Sequence, residues 1–580
     1  MKLECANCGA IFQPAGTPTK CDILRLESLL RDNRPLTSVE NSTISRLESS
    51  IDEYDRIIMS LQNQQMELKR RASRYGSLLA PIRKIPPEIL LLILQIACSS
   101  NSLAKPAYEH QKRQLVTVNV GQVCNYWRNL VMSNEELWST LGNLQIGDAG
   151  LDGDDPELPL LMQTYLSRSG SRPLTFTLNL GGDEIGPTAD RIAQCSSRWG
   201  DVTLSRVARE DWNIGPRSEG FPVLKSLSIH VHSFFLPLNT FKVAPHLHTL
   251  ILTDMEELEP GFTDFPWRQL RYLELDSPSV AMCEEVLPLC TQLSHLHLDL
   301  PRSSRYVNPL VFNASMKLQI SSLSLTIFDE VAGSFFTSVT LPALTSLKLT
   351  PFYIDKPKRT NLIPIQGIRS CLSRSQCTVT KITIGSYSHL TIPDVVLVDY
   401  LCLFPAATHL VLEDVTISGT FIEHLNPLTC PSSNILLPNL LTLELLSGDQ
   451  LPFNYETFVD LLKARWNPSM HDTMAQIRAV SLLNECDRAS FDPALLPTLR
   501  VLNKSGMSIT IVDGEGLVFG PVKLRQILCI THLKVHFPGQ MLNFKFRVSA
   551  FMTIHDPYND SFYIALLEFI LFDSFQSMLY

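Results

Sequence analysis

Cysteine is the first residue type in this chain whose spacing could do chemistry. Cys5 and Cys8 have the two-residue separation of zinc ligands, and Cys21 could supply a third ligand. A structural zinc site needs four ligands, and neither cysteine nor histidine occurs again before Cys98. We therefore assign no metal to this segment, and a site shared between two chains stays an open alternative.

Histidine is the second such residue type, because it occurs three times as a pair separated by one residue. Two residues apart on a strand, both rings project from the same face, and metal sites use that arrangement. No carboxylate cluster accompanies the pairs, so we expect histidines that face solvent. A metal-dependent hydrolase stays the alternative from the enzyme class. The pairs are His230/His232, His246/His248 and His295/His297.

Other signatures of catalysis are incomplete. The chain contains neither a phosphate-binding Gly-x-x-x-x-Gly-Lys-Ser/Thr stretch nor a Gly-x-Ser-x-Gly nucleophile elbow. Gly514 and Gly516 follow a strand-like run, but Gly520 lies one residue too far for a dinucleotide fingerprint, so a turn is predicted. The acidic residues between 148 and 157 lack the spacing of a calcium loop. We expect no catalytic residues, no cofactor and no enzyme activity.

Length and composition bound the remaining possibilities. At roughly 100–200 residues per domain, 580 residues predict three or four folding units. Residues 1–145 carry a net charge of +3 and the rest −12, and an acidic bulk argues against a nucleic-acid partner. No apolar run reaches the roughly 18–20 residues of a membrane helix, so we expect a soluble protein. The 14 cysteines are scattered, which favours reduced thiols in the cytoplasm, the nucleus or both.

A repeated pattern of apolar residues indicates the elements that would position any functional site. The triplet apolar-x-x-apolar-x-apolar recurs, and its first five copies are separated by 25, 23, 23 and 23 residues. Such periods, with one short strand each, predict a leucine-rich-repeat solenoid over residues 199–520, preceded by a linker and solenoid cap at 142–198. Met255, Pro278 and Pro301 replace the usual turn asparagine or cysteine, so we expect an irregular solenoid. The triplets are Trp199/Val202/Leu204, Leu224/Leu227/Ile229, Leu247/Leu250/Leu252, Leu270/Leu273/Leu275, Leu293/Leu296/Leu298, Ile320/Leu323/Leu325, Leu344/Leu347/Leu349, Val379/Ile382/Ile384, Leu440/Leu443/Leu445 and Ile477/Val480/Leu482.

Residues 38–80 are predicted to form one long, coiled-coil-like helix. Apolar residues follow each other in steps of three and four, which keeps them on one side of a helix. Gln65 is the one polar position among them. The partner could be a second copy of the helix or another part of the chain, and the pattern leaves both open. The stripe consists of Ile44, Leu47, Ile51, Tyr54, Ile58, Leu61, Gln65, Leu68, Ala72, Tyr75 and Leu79.

Residues 81–141 are predicted to form a small bundle of three helices. Pro86 and Pro87 suit the start of the first, because the first N–H groups of a helix have no intrahelical partner. The stripe from Val120 to Val131 indicates the second, and residues 133–136 fit a capping box for the third. We expect residues 1–37 to be disordered. Residues 521–580 form an atypical hydrophobic extension, either a cap on the last repeat or an aberrant extension of the reading frame.

With these residues in view, the chain resembles F-box proteins, in particular a large group found in mushroom-forming fungi. The resemblance spans roughly residues 20 to 515. It departs from the family at Asn125 and Glu136, and about 20 residues at 99–118 separate the first two helices. It is carried by residues 79–90 (LAPIRKIPPEIL), 123–128 (VCNYWR), 137–138 (LW), 165–174 (YLSRSGSRPL) and 197–199 (SRW).

The resemblance implies an α/β fold and a function. F-box bundles dock on the Skp-type adaptor of a cullin-RING ubiquitin ligase, and the repeats present a target protein to it. The alternative is a protein-interaction scaffold without a ligase role. The residues implied in adaptor binding are Ile82, Ile85, Pro86, Pro87, Glu88, Ile89, Leu90, Ile93, Leu94, Val123, Cys124, Trp127, Leu137 and Trp138.

Overall fold

The structure is a computed structural model in which the chain forms two compact units. One unit holds residues 1–87, and the other begins at residue 88. The residues that the structure describes are 3–4, 11–12, 20–31, 35–78, 81–104, 113–146, 157–180, 187–205, 220–230, 238–253, 262–300, 311–312, 315–327, 331–351, 363–429, 435–447, 454–467, 474–484, 492–513, 516–519, 536–537 and 540–541.

Among its described residues, the first unit contains two short strands, two α-helices and a short 3-10 helix (Pro81–Lys84). β1 (Leu3–Glu4) pairs antiparallel with β2 (Ile11–Phe12), and α1 (Lys20–Arg31) precedes α2 (Ser38–Leu78). The segment 1–37, for which we expected disorder, thus includes α1, whose closely spaced leucines and isoleucine favour a helix. A reciprocal capping box starts α2, since the Thr37 N–H donates to Glu40 Oε2 (2.8 Å) and the Glu40 N–H to Thr37 Oγ1 (3.4 Å).

The second unit alternates strands with helices. Its helices are α3 (Pro87–Cys98), α4 (Val116–Val123), α5 (Asn125–Ser133), α6 (Leu158–Arg168), α7 (Pro187–Gln194), α8 (Val280–Val286), α9 (Val331–Ser338), α10 (Ile365–Ser375), α11 (Asp394–Leu401), α12 (Gly419–Leu425), α13 (Tyr455–Trp466) and α14 (Leu496–Lys504). Among the described residues, no helix combines the length and apolar character needed to cross a bilayer.

The strands follow the same alternation. They are β3 (Thr140–Ile146), β4 (Leu174–Leu180), β5 (Trp199–Ser205), β6 (Ser226–His230), β7 (Thr249–Thr253), β8 (Tyr272–Asp276), β9 (His295–Asp299), β10 (Met316–Lys317), β11 (Ser322–Ile327), β12 (Val339–Thr340), β13 (Ser346–Pro351), β14 (Lys381–Thr391), β15 (His409–Thr416), β16 (Thr442–Ser447), β17 (Ala479–Asn484), β18 (Ser508–Asp513), β19 (Gly516–Phe519), β20 (His536–Phe537) and β21 (Gln540–Met541).

One large sheet dominates this unit. Fifteen strands pair in the order in which they occur along the chain, from β3 to β19, while β10 and β12 form a separate parallel pair. All neighbours in the large sheet are parallel except the antiparallel pair of β18 and β19. The fold is thus a mixed helix-and-strand structure built on a parallel sheet, in agreement with the predicted α/β class.

The apolar triplets explain why the strands stay in register. The middle residue of each predicted triplet from Val202 to Val480 pairs with the middle residue of the next strand, and each of them is at most 3% exposed. Because successive side chains of a strand point to opposite faces, a slip by one residue would turn this whole row to the solvent. The sequence period therefore specifies the pairing as well as the strands.

Four of the parallel strands of the large sheet are not covered by the ten predicted triplets. β15 pairs between β14 and β16, and its triplet begins at Ala407, which is fully buried but too small to fit the pattern of large apolar residues. β18 follows at the end of the array and contains residues 509–512, the strand-like run that precedes Gly514. β3 and β4 lie before residue 199, so the segment predicted as linker and solenoid cap at 142–198 contains most of β3, then α6, β4 and α7.

The helical bundle also differs from its prediction. The stripe expected as one second helix is divided into α4 and α5, because Cys124 between them has an extended backbone (φ −160°). The third element is a short 3-10 helix, Glu135–Trp138, without the predicted capping box. The Asn134 side chain instead donates to the Leu130 carbonyl oxygen (2.6 Å) at the end of α5. Of the predicted C-terminal extension, only β20 and β21 lie within the described residues.

Candidate functional site

Six of the residues implied in adaptor binding form the inside of the bundle. Each of them is at most 6% exposed, and they come from α3, α5 and the 3-10 helix. Buried in their own chain, these side chains determine the position of the surface residues and do not themselves present a surface to a partner. They are Leu90, Ile93, Leu94, Trp127, Leu137 and Trp138.

Trp138 joins the bundle to the beginning of the sheet. Its indole N–H donates to the Val131 carbonyl oxygen (2.9 Å) in α5. Its ring meets that of Tyr165 in α6 edge-on, with 5.0 Å between centroids, and the Arg168 guanidinium lies 4.5 Å from its centroid. Burial raises the pKa of the Tyr165 phenol to about 12, so this hydroxyl stays neutral. The bundle is thereby anchored to the first crossover of the sheet.

A buried polar network ties the bundle to β3. Asn101 accepts from the Thr117 backbone N–H (3.1 Å) and donates to Thr117 Oγ1 (2.7 Å) and to the Thr140 carbonyl oxygen (3.3 Å). The Thr117 hydroxyl in turn donates to the Leu137 carbonyl oxygen (2.8 Å). Asn101 and Thr117 are both almost fully buried. The sequence alone does not single them out, because residues 99–118 resemble an insertion between two helices.

Gly142 makes this junction possible. Its φ is +64°, a conformation that side-chain-bearing residues rarely adopt, and a Cβ there would collide with the Asn101 carbonyl oxygen. The close approach lets the Leu103 N–H donate to the Leu141 carbonyl oxygen (3.3 Å) in β3. It also coincides with a register shift between β3 and β4. Residues 101–103 therefore cover the backbone of the first strand.

Helix α3 carries the exposed part of the predicted surface. Glu88 is exposed, and Ile89 is 45% exposed although it is aliphatic. Leu92, which sequence reasoning did not single out, is 51% exposed, and Ile96 is half-buried. The spacing i, i+3, i+7 places these aliphatic residues on one side of the helix, which we call the α3 apolar stripe (Ile89, Leu92, Ile96).

The remaining predicted residues have other positions. Val123 and Cys124 are half-buried, and the Trp127 N–H approaches Cys124 Sγ (3.5 Å), which caps α5. The others belong to the first unit, where Ile82 and Ile85 are half-buried and joined by a backbone hydrogen bond (3.3 Å). Pro86 and Pro87 are exposed. Among the residues implied in adaptor binding that lie in the second unit, Ile89 is the exposed aliphatic residue.

The face of the sheet opposite to the leucine rows carries polar and charged side chains. The strand register aligns Glu274, His297, Ser324 and Lys348 on consecutive strands β8, β9, β11 and β13. Lys348 Nζ lies 2.6 Å from Glu413 Oε2, and the Tyr272 hydroxyl donates to Glu274 (2.6 Å). This polar face is therefore an ordered array of charges on a rigid support.

His297 and Asp299 form a partly buried pair on this face. Their Nε2 and Oδ1 atoms are 3.2 Å apart. Burial alone lowers the pKa of His297, but the hydrogen bond and charge of Asp299, together with the charge of Glu274, raise it above its ordinary value. Burial alone raises the pKa of Asp299, but the contacts with His297 contribute to lowering it below its ordinary value. Each partner thus stabilises the charged form of the other.

The metal-ligand candidates that the structure describes are not brought together. In the part of the chain that the structure describes, no group of three or more histidine, cysteine, aspartate or glutamate side chains is placed to hold a metal ion. His295 contacts the Ser294 hydroxyl through Nδ1 (2.8 Å), and His230 contacts the Thr253 hydroxyl (2.7 Å). Cys5, Cys8 and His232 lie outside the described residues.

Comparisons with known proteins leave the family open. No protein-family model matches the chain, and no curated protein matches it. A solved structure from yeast, described as the complex of Rad7 and Elc1, is similar at 14% sequence identity and a TM-score of 0.30. The match covers 73% of this chain and 96% of that one. At this TM-score the similarity carries no argument about the fold or partners.

The buried network yields a prediction about stability. Asn101→Ala leaves the Thr117 N–H buried without its acceptor, so we expect the free energy of unfolding to fall by about 1–3 kcal/mol. Asn119→Ala, on the exposed side of α4, is the matched control and should change it by less than about 0.5 kcal/mol. Denaturant unfolding of the full chain measures both, and equal effects would contradict the role given to Asn101.

The His297–Asp299 pair yields a prediction about pH. Because the folded chain raises the pKa of His297, the pair's contribution to stability is complete below the unfolded value of about 6.5. It is lost as pH rises through the folded value. The difference in unfolding free energy between wild type and His297→Gln should therefore shrink from pH 6 to pH 8.5. A difference that stays constant over this range would show that His297 does not titrate there.

Proposed function

We propose that this chain is a substrate-recognition subunit of an SCF-type cullin-RING ubiquitin ligase. The F-box-like bundle would bind a Skp-type adaptor and, through it, a cullin. The large sheet, taken as a leucine-rich-repeat-like solenoid, would bind a target protein. The chain itself would not transfer ubiquitin and would need no cofactor. It would bind neither nucleic acid nor membrane. It would act within the ubiquitin-like conjugation pathway, in the cytoplasm, the nucleus or both.

The α3 apolar stripe is the observation that carries this proposal. The other side of α3 is filled by Leu90, Ile93 and Leu94, so the fold does not need Ile89 and Leu92 for its core. A helix that is apolar on both sides usually buries both. Aliphatic anchors of this kind commonly dominate protein interfaces, since burying them gains about 25 cal/mol per Å². A partner protein on α3 accounts for their exposure.

The polar face supports a protein target. The strands that lie side by side in chain order would form successive turns of a solenoid, and such arrays bind partners along an extended face. Here this face combines acidic side chains (Glu274, Asp299) with basic ones (Lys348, Lys381) on neighbouring strands. Mixed charge on a rigid support suits a protein surface with a complementary pattern. The net charge of −12 beyond residue 145 disfavours a nucleic acid.

Adaptor binding by the full chain tests the proposal. Co-expression with a Skp-type adaptor, followed by calorimetry, should give a Kd of about micromolar or tighter for wild type. Ile89→Asp/Leu92→Asp should weaken binding at least about a hundredfold, because two charges would be buried in the interface. Val395→Asp is the control, since Val395 is an aliphatic residue of α11 that is 72% exposed. It should bind like wild type.

Two results would contradict the proposal. One is the absence of adaptor binding by a wild-type chain whose circular dichroism and unfolding transition show it to be folded. The other is an equal loss of binding in the α3 variant and in Val395→Asp. Either result would favour the alternative, a protein-interaction scaffold without a ligase role, and no cullin would then co-purify with the chain.

A further inference from the structure

Helix α2 presents an apolar side that nothing in its own unit covers among the described residues. The helix has 41 residues, and Ile51, Ile58, Leu61 and Leu68 are each at least half exposed. Helix α1 is the other α-helix that the structure describes in this unit, but its Leu24, Leu26 and Leu30 are more than half exposed as well. A helix of this composition gains most of its stability from packing, so its apolar side points to a partner helix.

The charges of α2 are distributed unequally along its length. Residues 38–59 contain five acidic and two basic side chains, and residues 60–78 contain one acidic and four basic side chains. In a parallel pair of two copies, like halves would lie side by side and repel each other. In an antiparallel pair, the acidic half of each copy would lie along the basic half of the other.

We propose that α2 forms an antiparallel coiled coil with α2 of a second copy of this chain, in a register that pairs Ile58 with Leu61. This register brings every apolar layer of the described helix together. The layers are Ile44 with Tyr75, Leu47 with Ala72, Ile51 with Leu68, Tyr54 with Gln65 and Ile58 with Leu61, each formed twice by the two-fold symmetry.

The positions beside the apolar layers support the same register. It places Glu48 opposite Lys69 of the second copy, again twice, and Asp55 opposite Gln62. Gln65, the one polar residue of the apolar stripe, faces Tyr54, whose phenol is a hydrogen-bond partner for an amide. The overlap covers nearly the whole helix, on the order of 55 Å at 1.5 Å per residue.

Each alternative antiparallel register loses part of this match. A shift by one heptad in one direction places Asp55 opposite Asp55 of the second copy. A shift in the other direction pairs Asp55 with Lys69 but leaves Ile44 and Leu47 without a partner residue in α2 of the second copy. In a parallel coiled coil, Glu48 would face Thr43 and Lys69 would face Gln64 of the second copy, so no opposite charges meet.

Charge reversal in the full chain tests the pairing. Sedimentation equilibrium should show a dimer, and Glu48→Lys or Lys69→Glu should each raise its Kd about tenfold, because attraction becomes repulsion at two sites. The double variant Glu48→Lys/Lys69→Glu should restore the Kd to within about twofold of wild type. Glu53→Lys and Arg70→Glu are matched controls on the outer side of the helix and should leave the Kd nearly unchanged.

Mixing the two single variants tests the orientation directly. A tagged Glu48→Lys chain should capture untagged Lys69→Glu chain in preference to its own kind, since both charge pairs are then complementary. We expect a Kd for the dimer no weaker than tens of micromolar. A chain that sediments as a monomer at concentrations on the order of tens of micromolar therefore overturns the proposal. So does a dimer that Glu48→Lys tightens or leaves unchanged, since a parallel pair predicts that result.

Discussion

The fold of the second unit depends on one constraint, which is that the apolar residues of each strand stay in register with those of the strands before and after it. The row that runs from Val202 to Ile509 is continuous because every strand contributes one residue in register. Residues inside such a row are covered by their neighbours, but the apolar residues of the first and last strands would be exposed at the ends of the sheet. Both ends of the sheet therefore need a structure that closes them.

The two ends of the sheet differ. At the C-terminal end, β19 turns back and pairs antiparallel with β18, which ends the parallel series. At the first end, residues 101–103 lie against β3, and Asn101 connects them to Thr117 and to the Thr140 carbonyl oxygen. The helical bundle is thus attached to the first strand of the sheet by hydrogen bonds. The exposed aliphatic side of α3 takes no part in this attachment.

The parts that followed from the sequence are those with a regular period. The leucine triplets predicted most strands and their register, because the period of two in a strand leaves few alternatives. The parts that did not follow depend on single residues in three-dimensional context. Ala407 is small yet fully buried, Cys124 interrupts what resembles one helix, and Gly142 is required by a close approach to Asn101.

The candidate site shows the same division. Sequence reasoning selected the helices of the bundle, but it could not separate residues that fill the bundle from those that cover it. Leu90 and Ile89 are neighbours of the same type, and only the packing of α3 makes one buried and the other 45% exposed. Leu92 was not selected because the run from Ile89 to Leu94 is apolar throughout, which removes the periodic signal.

Hydrogen exchange of the full chain, with and without a Skp-type adaptor, tests most directly whether α3 is a docking surface distinct from the sheet. We expect slower exchange of the amides in α3 when the adaptor is present, and unchanged exchange in strands β6 to β9. Protection confined to those strands, or no protection in α3 at saturating adaptor, would contradict a docking role for α3.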